Sequence, residues 1–263
     1  MFSKKRTVAL GLGLMFLMVF ALSGCGGRDS NKLYVGMEVG YPPMEMVGSD
    51  GSTVEGFDVD VAKEVAKRLG KEDIEIVNTA WDSIFISLDA NKYDCIISAV
   101  SIKPDREKAY ALTKAYVSNK LVLITKKGDT SIKTPDDLVG KKTAVQGSTT
   151  AENYLKDMIA KGKEVDYSPY QKVTQTFSDL KIGRVDAILV DVVVAGYYLV
   201  QDPNSYNMVW QSPVGEPMAI AFKKTDSATR DKVNDILDEM QADGTFAKIS
   251  EKWFNADITK NIG

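Results

Sequence analysis

Residues 81–106 read WDSIFISLDANKYDCIISAVSIKPDR. The first half has a helical pattern over Trp81–Asn91, with Ile84, Phe85 and Leu88 on one side. From Tyr93 the pattern changes. YDCIIS is apolar with no alternation after Asp94, as expected of a strand buried on both faces, and such strands belong to parallel sheets covered by helices. The run then leads straight to Arg106. A buried strand that ends on a guanidinium is either reaching the surface or delivering that charge to something negative.

The upstream segments fit the same architecture. KLYVGME (Lys32–Glu38) reads as a strand that GYPP interrupts, because Pro42 and Pro43 have no N–H for a ladder. GFDVDVAKEVAKRLG (Gly56–Gly70) reads as a helix. Val61, Val65 and Leu69 sit four apart, Ala62 and Ala66 fill the same face, and Gly70 stops it. IEIVNTA (Ile74–Ala80) is the next strand. Strand–helix–strand alternation predicts an α/β fold with parallel strands.

Downstream the pattern restarts. In TPDDLVG, Thr134 is placed as an N-cap, Pro135 at the first helical position and Asp137 three residues after the cap. KKTAVQG (141–147) reads as a strand. TTAENYLKDMIAKG (149–162) reads as a helix with Thr149 and Glu152 at capping-box spacing. TQTFSDLKIG (174–183) is a helix and VDAILVD (185–191) a buried strand. NKYDCIIS from Asn91 resembles GRVDAILV from Gly183, with Asp94 and Asp186 92 residues apart, which suggests two similar α/β lobes. Two apolar extended segments, NKLVLITKK (119–127) and EPMAIAFKK (216–224), lie between the lobes. Two crossings would make the first lobe discontinuous, with terminal helices over 227–254 returning to it. The residues alone leave this as one option.

The N-terminus reads as an export signal. Lys4, Lys5 and Arg6 precede the apolar run Val8–Leu22, which is shorter than the about 20 residues of a membrane span. LSGC (Leu22–Cys25) resembles the bacterial lipobox, which implies a lipid on Cys25 followed by a flexible tether. Cleavage before Cys25 leaves 239 of 263 residues. It removes three basic and no acidic residues from 33 Lys+Arg and 36 Asp+Glu, so the mature charge is −6. Mild acidity with no basic tract argues against nucleic acid. The chain has no histidine, which removes Ser-His-Asp and Cys-His chemistry and the commonest zinc ligand. No metal or cofactor is expected. If Cys25 carries lipid, Cys95 has no partner and reads as a small buried apolar residue.

Five segments follow the lipobox in order: GYPPMEM, GFDVDVAKEVAKRLG, WDSIFISLDANKYDCIISAVSIKPDRE, GKKTAVQGSTTAENYL and GRVDAILVD. Together, over nearly all of the mature chain, they resemble the polar-amino-acid solute-binding proteins of bacterial ABC importers, the extracellular solute-binding protein family 3. The resemblance implies a two-lobe periplasmic-binding-protein-like fold of type II, with the lobes joined by two crossing strands and closing on a ligand by a hinge. It divides the chain into a signal peptide (1–24), a lipidated tether (25–32), one lobe (33–116 and 219–263) and a second lobe with the two crossings (117–218).

A free amino acid carries a carboxylate and an ammonium, each costly to bury without a partner. The resemblance places the carboxylate on Arg106, whose planar fork can grip it with two parallel bonds. Ser101 stands nearby at the strand end, and Ala99 contributes its backbone. Thr149 and Thr150 stand at a helix start, where backbone N–H groups favour an anion. Ungapped alignment selects that pair and points Gln146 at the ligand, whereas anchoring on Gly147 selects Ser148 and Thr149. Asp191 would accept the ammonium, and Tyr41 and Trp81 would sandwich the side chain. Glu38 would face the end of that side chain. It favours arginine or lysine, with glutamine or cystine as the alternative. Read without the resemblance, Arg106 is also a solvated charge at a helix start, Asp191 and Thr149 are helix caps, and Trp81 is core. Lys103 departs from a frequent threonine. Leu112 and Ala115 replace the usual phenylalanine and proline near the hinge.

The role implied is that of a non-catalytic, monomeric receptor. A lipid on Cys25 would hold it at the extracytoplasmic face of the bacterial cell membrane, where it hands a free amino acid to the importer's permease. Two other classes share the fold. A cyclohexadienyl dehydratase-like enzyme would use Glu38 as the cleft acid, and a sensory module would need a separate signalling partner.

Overall fold

Residues 28–260 and 262 are described by the computed structural model, so residues 1–24 and Cys25 lie outside the described residues. The first stretch runs β1 (Lys32–Met37), β2 (Met46–Val47), β3 (Val54–Glu55), α1 (Phe57–Arg68), β4 (Asp73–Asn78), α2 (Ile84–Asp89), β5 (Cys95–Ser101), α3 (Pro104–Ala109) and β6 (Tyr110–Leu112). The second runs β7 (Leu121–Lys126), β8 (Lys142–Gln146), α4 (Thr150–Ala160), β9 (Asp166–Tyr170), α5 (Val173–Lys181), β10 (Ala187–Asp191), α6 (Val192–Gln201) and β11 (Tyr206–Gln211). β12 (Met218–Lys223), α7 (Ser227–Ala242) and α8 (Thr245–Phe254) follow.

These elements build two five-stranded sheets, β4-β1-β5-β12-β6 and β11-β7-β10-β8-β9, each layered with helices. β1 is parallel to β4 and β5, and β8 is parallel to β9 and β10. β12 enters antiparallel between β5 and β6, so the chain returns to its first sheet after completing the second. All seven residues of β5 are buried. Cys95, Ile97 and Ala99 join the core that includes α1, α7 and Phe246 of α8, while Ile96 and Val100 pack with Ile84 and Leu88 of α2. Burial on both faces is why YDCIIS shows no alternation. Among the described residues Cys95 is a free, fully buried thiol.

The crossings lie elsewhere than expected. Segments 119–127 and 216–224 are mostly interior strands, β7 in the second sheet and β12 in the first. The chain passes between the sheets in the short stretches just before them. These run side by side, with the Met218 N–H on Val117 O at 3.1 Å, Glu216 N–H on Asn119 O at 2.8 Å and Ser212 N–H on Leu121 O at 2.8 Å. Apolar extended residues lose free energy in a solvated connection, so each run is drawn into the adjoining sheet. TPDDLVG likewise makes only a 3₁₀ turn, Pro135–Leu138, although Thr134 and Asp137 do form a capping box.

Two glycines fix local geometry. Gly70, at φ 77°, follows the end of α1 as expected. Gly56 precedes α1 at φ 150°, and a Cβ there would lie 2.1 Å from Met44 O. Among the described residues, no helix is long and apolar enough to cross a membrane.

Candidate functional site

The carboxyl ends of β1, β5, β8 and β10 converge on one small cavity between the sheets, with about 20 Å³ of water-sized space. Its wall contains Glu38, Tyr41, Trp81, Ala99, Ser101, Arg106, Gln146, Thr149, Thr150 and Asp191, and in addition Ser98. Ser148 lines an outer chamber instead.

Arg106 stands on α3, just beyond the end of β5. Its guanidinium lies 5.4 Å from the Trp81 ring centroid and 5.3 Å from that of Phe85. Nη1 donates to Ser101 O at 3.0 Å. Burial pulls its pKa down, with Asp105, Asp191 and Glu216 opposing at longer range. Among the described residues no carboxylate comes within ion-pair distance of it. A part-buried cation held by one neutral carbonyl leaves its fork available to an anion.

Asp191 ends β10, and α6 starts directly after it, yet its side chain makes no cap bond. Instead it accepts from Tyr41 Oη at 2.5 Å and from Asn119 Nδ2 at 2.7 Å. Burial pushes its carboxyl up to about 6 despite these two donors. Glu38, immediately after β1, is 4% exposed. It accepts Gln146 Nε2 on both oxygens at 2.8 Å, across the gap between the sheets. Burial pushes its carboxyl up to about 7, eased by Gln146 and Lys172. Gln146 Oε1 is buried with no hydrogen-bond partner among the described residues. This end of the cavity therefore offers acceptors and seeks a donor.

Thr149 caps α4, accepting the Glu152 N–H at 3.2 Å, and Glu152 reaches back to the Ser148 N–H at 2.7 Å. Thr149 is thus both a cap and part of the cavity wall. Ala99 adopts φ 48°, and its N–H is taken by Asp58 Oδ2 at 2.8 Å. Any ligand contact through its backbone must therefore use the carbonyl.

Behind this wall lies a buried acid layer. Ser98 Oγ accepts the Glu38 N–H and donates to Glu45 Oε1, and Tyr116 Oη donates to Asp58 Oδ1 at 2.7 Å. Burial pushes Asp58 up to about 7. It raises Glu45 further, helped by the neighbouring Asp58 charge. A proton shared between them keeps two adjacent charges from being buried together. Sequence reasoning missed Ser98, Glu45, Asp58 and Asn119. A hydroxyl in an apolar strand was the one available signal, and it pointed equally to Ser101. Lys103 binds Glu216 at 2.9 Å, tying the end of β5 to the second crossing.

The cavity thus sets one unneutralised guanidinium against two carboxyls. The family model for bacterial extracellular solute-binding proteins, family 3, matches residues 33–256.

This chain belongs to that family.

Family-3 relatives include the L-cystine-binding protein TcyJ of Escherichia coli K12, 36% identical over 234 residues, spanning 89% of this chain and 86% of the relative. The ABC transporter arginine-binding protein 1 of the same organism is 36% identical over 233 residues, spanning 87% and 93%. Among solved structures, an ancestral arginine-binding protein bound to arginine superposes with a TM-score of 0.81 at 37% identity, covering 85% of this chain and 98% of that one. The ancestral amino acid-binding protein AncCDT-1, a precursor of cyclohexadienyl dehydratase, follows at TM-score 0.79 and 32% identity, covering 85% and 96%. The two-lobe α/β architecture is that of family-3 binding proteins.

Proposed function

We propose that the chain is the receptor of an ABC importer for a free amino acid, held between a lobe of residues 33–116 with 219–263 and a lobe of residues 117–218. The observation that carries this reading is the Arg106 guanidinium, without a carboxylate partner among the described residues, facing Asp191 and Glu38 around one cavity. A ligand α-carboxylate on Arg106, Ser101, Thr149 and Thr150 supplies the missing anion. Its ammonium on Asp191 and the Ala99 carbonyl supplies a cation. Tyr41 and Trp81 flank the side chain, which ends at Glu38 and Gln146. Both of those present acceptors, so the side chain is one that donates, as arginine and lysine do. Cystine or glutamine is the second reading, and identity to an L-cystine-binding relative favours cystine of the two.

A lipid on Cys25 then retains the protein, a monomer, on the outer face of the cell membrane, where the permease reads the closed pair of lobes. No catalytic step belongs to this role. An enzyme on the same fold would use Glu38 as a general acid, since its carboxyl is pushed up to about 7.

The test is a thermal-shift screen of the purified protein against the twenty amino acids, cystine, ornithine and citrulline. A ligand that binds only the folded state raises the melting temperature. Selective shifts with arginine, lysine and ornithine, or with cystine, are expected. No shift with any of them, together with loss of prephenate absorbance on incubation, would replace the receptor reading with the enzyme.

A further inference from the structure

Glu38 and Trp81 line two cavities. Beside the first lies a second, partly open chamber of about 270 Å³ whose wall includes Asp82, Tyr170, Gln171 and Lys172. Glu38 lines both spaces and Gln146, bonded to it, lines the first, while Trp81 Nε1 donates to Ser148 O at 3.0 Å in the wall of the second. The outer chamber has two charges of opposite sign. Lys172 reaches over from the second sheet and touches Val39 O at 3.4 Å. Asp82 follows Trp81 on the first. Both are exposed. Among the described residues neither forms an ion pair, although both act on the Glu38 carboxyl, Lys172 lowering and Asp82 raising its pKa.

A lone cation at Glu38 would meet Lys172 as a repulsive neighbour. A cation with its own carboxylate beside it would meet Lys172 as a partner. The buried, unpartnered Gln146 Oε1 marks the same threshold as a place awaiting an N–H donor. We infer that the outer chamber is a second head-group subsite, matched to an amino acid whose far end is itself zwitterionic. The far ammonium sits between Glu38, Gln146 Oε1 and Asp82, and the far carboxylate sits on Lys172. Cystine, two α-amino-acid heads joined by CH₂–S–S–CH₂, has this form. The inference rests on the inner cavity being the amino-acid site proposed above.

Calorimetric titrations of cystine, cysteine and arginine into the wild type and Lys172→Met test it. Cysteine has the near head alone, so it serves as the truncated control. Wild type is expected to bind cystine well above cysteine. Lys172→Met should weaken cystine about fivefold, the size of a partly solvated charge pair, and leave arginine unchanged or tighter. Asp82→Asn should weaken cystine less than Lys172→Met does. Both side chains are exposed, so the variants are expected to fold. Equal affinity for cystine and cysteine, or a Lys172→Met effect alike on cystine and arginine, overturns the second subsite while the receptor reading stands. Failure of all three ligands to bind overturns both.

Discussion

Tyr41 donates its phenolic hydrogen to Asp191 across the cleft, joining residues 150 positions apart. Tyr41 follows a strand of the first sheet and Asp191 ends a strand of the second. The tyrosine expected to serve as an aromatic platform thus also orients the carboxyl assigned to the ligand's ammonium. With Asn119 on its other oxygen, Asp191 is held from two sides before any ligand arrives.

Tyr41→Phe keeps the ring and removes this bond. A hydrogen bond to a charged group contributes about 1.5–3 kcal/mol, so amino-acid affinity should fall at least about tenfold. Calorimetry against the best ligand of the thermal screen measures this. Unchanged affinity would mean that the ring alone matters.

Arg106→Ala should lose about 2–5 kcal/mol of binding, because the ligand carboxylate is left half paired in a dry site. Arg106→Lys should recover little, since an ammonium has no planar fork. Ligand-free stability should hold or rise, as a desolvated charge has been removed. Near-wild-type affinity in the alanine variant would remove Arg106 from the site.

Proton linkage predicts an unusual pH profile. Glu38 and Asp58 are pushed up to about 7 and Asp191 to about 6, from ordinary values near 4. Between about pH 4 and 7 the folded chain therefore binds more protons than the unfolded chain, and stability falls as pH rises through that window. The ligand-free melting temperature should be higher near pH 5 than near pH 8. A bound cation meets the ionised forms of Glu38 and Asp191, so its stabilising shift should be larger at pH 8. Melts across this range in low-phosphate buffers decide it, and a ligand-free optimum at pH 8 would contradict the buried-acid account.

Gly56→Ala tests the fold independently of the site. The added methyl would meet backbone, Met44 O, at 2.1 Å, and cannot be relieved by a side-chain turn. A loss of about 3 kcal/mol is expected, at the upper end of overpacking costs. Urea unfolding with the midpoint unchanged would show that the Met44–Phe57 corner can open.

Some local elements were illegible for identifiable reasons. VVVAGYYLVQ is mostly apolar and opens on three valines, a pattern that continues the preceding strand, yet it forms α6. Local propensity is overridden where the chain must leave the sheet after Asp191. DYSPY contains a proline and still forms β9, because β9 is an edge strand and a missing N–H costs an edge nothing. TPDDLVG has strong start signals but only four residues before the chain turns, too few to propagate a helix.

The order of apolar runs, caps and breakers determined the α/β class and suggested two lobes, while the candidate ligand-binding residues followed from the family resemblance. These are local properties, set by period and by the chemistry of single side chains. What only the folded chain decided was which polar groups neutralise one another. Tyr41 with Asp191, Gln146 with Glu38, and Ser98 and Tyr116 with the Glu45–Asp58 layer are pairings between residues 53 to 150 positions apart. No spacing rule reaches that far. The first two form where the sheets close over a shared gap and the last two where α1 and the β1–β2 segment pack on the first sheet, and their strength comes from the water that packing excludes.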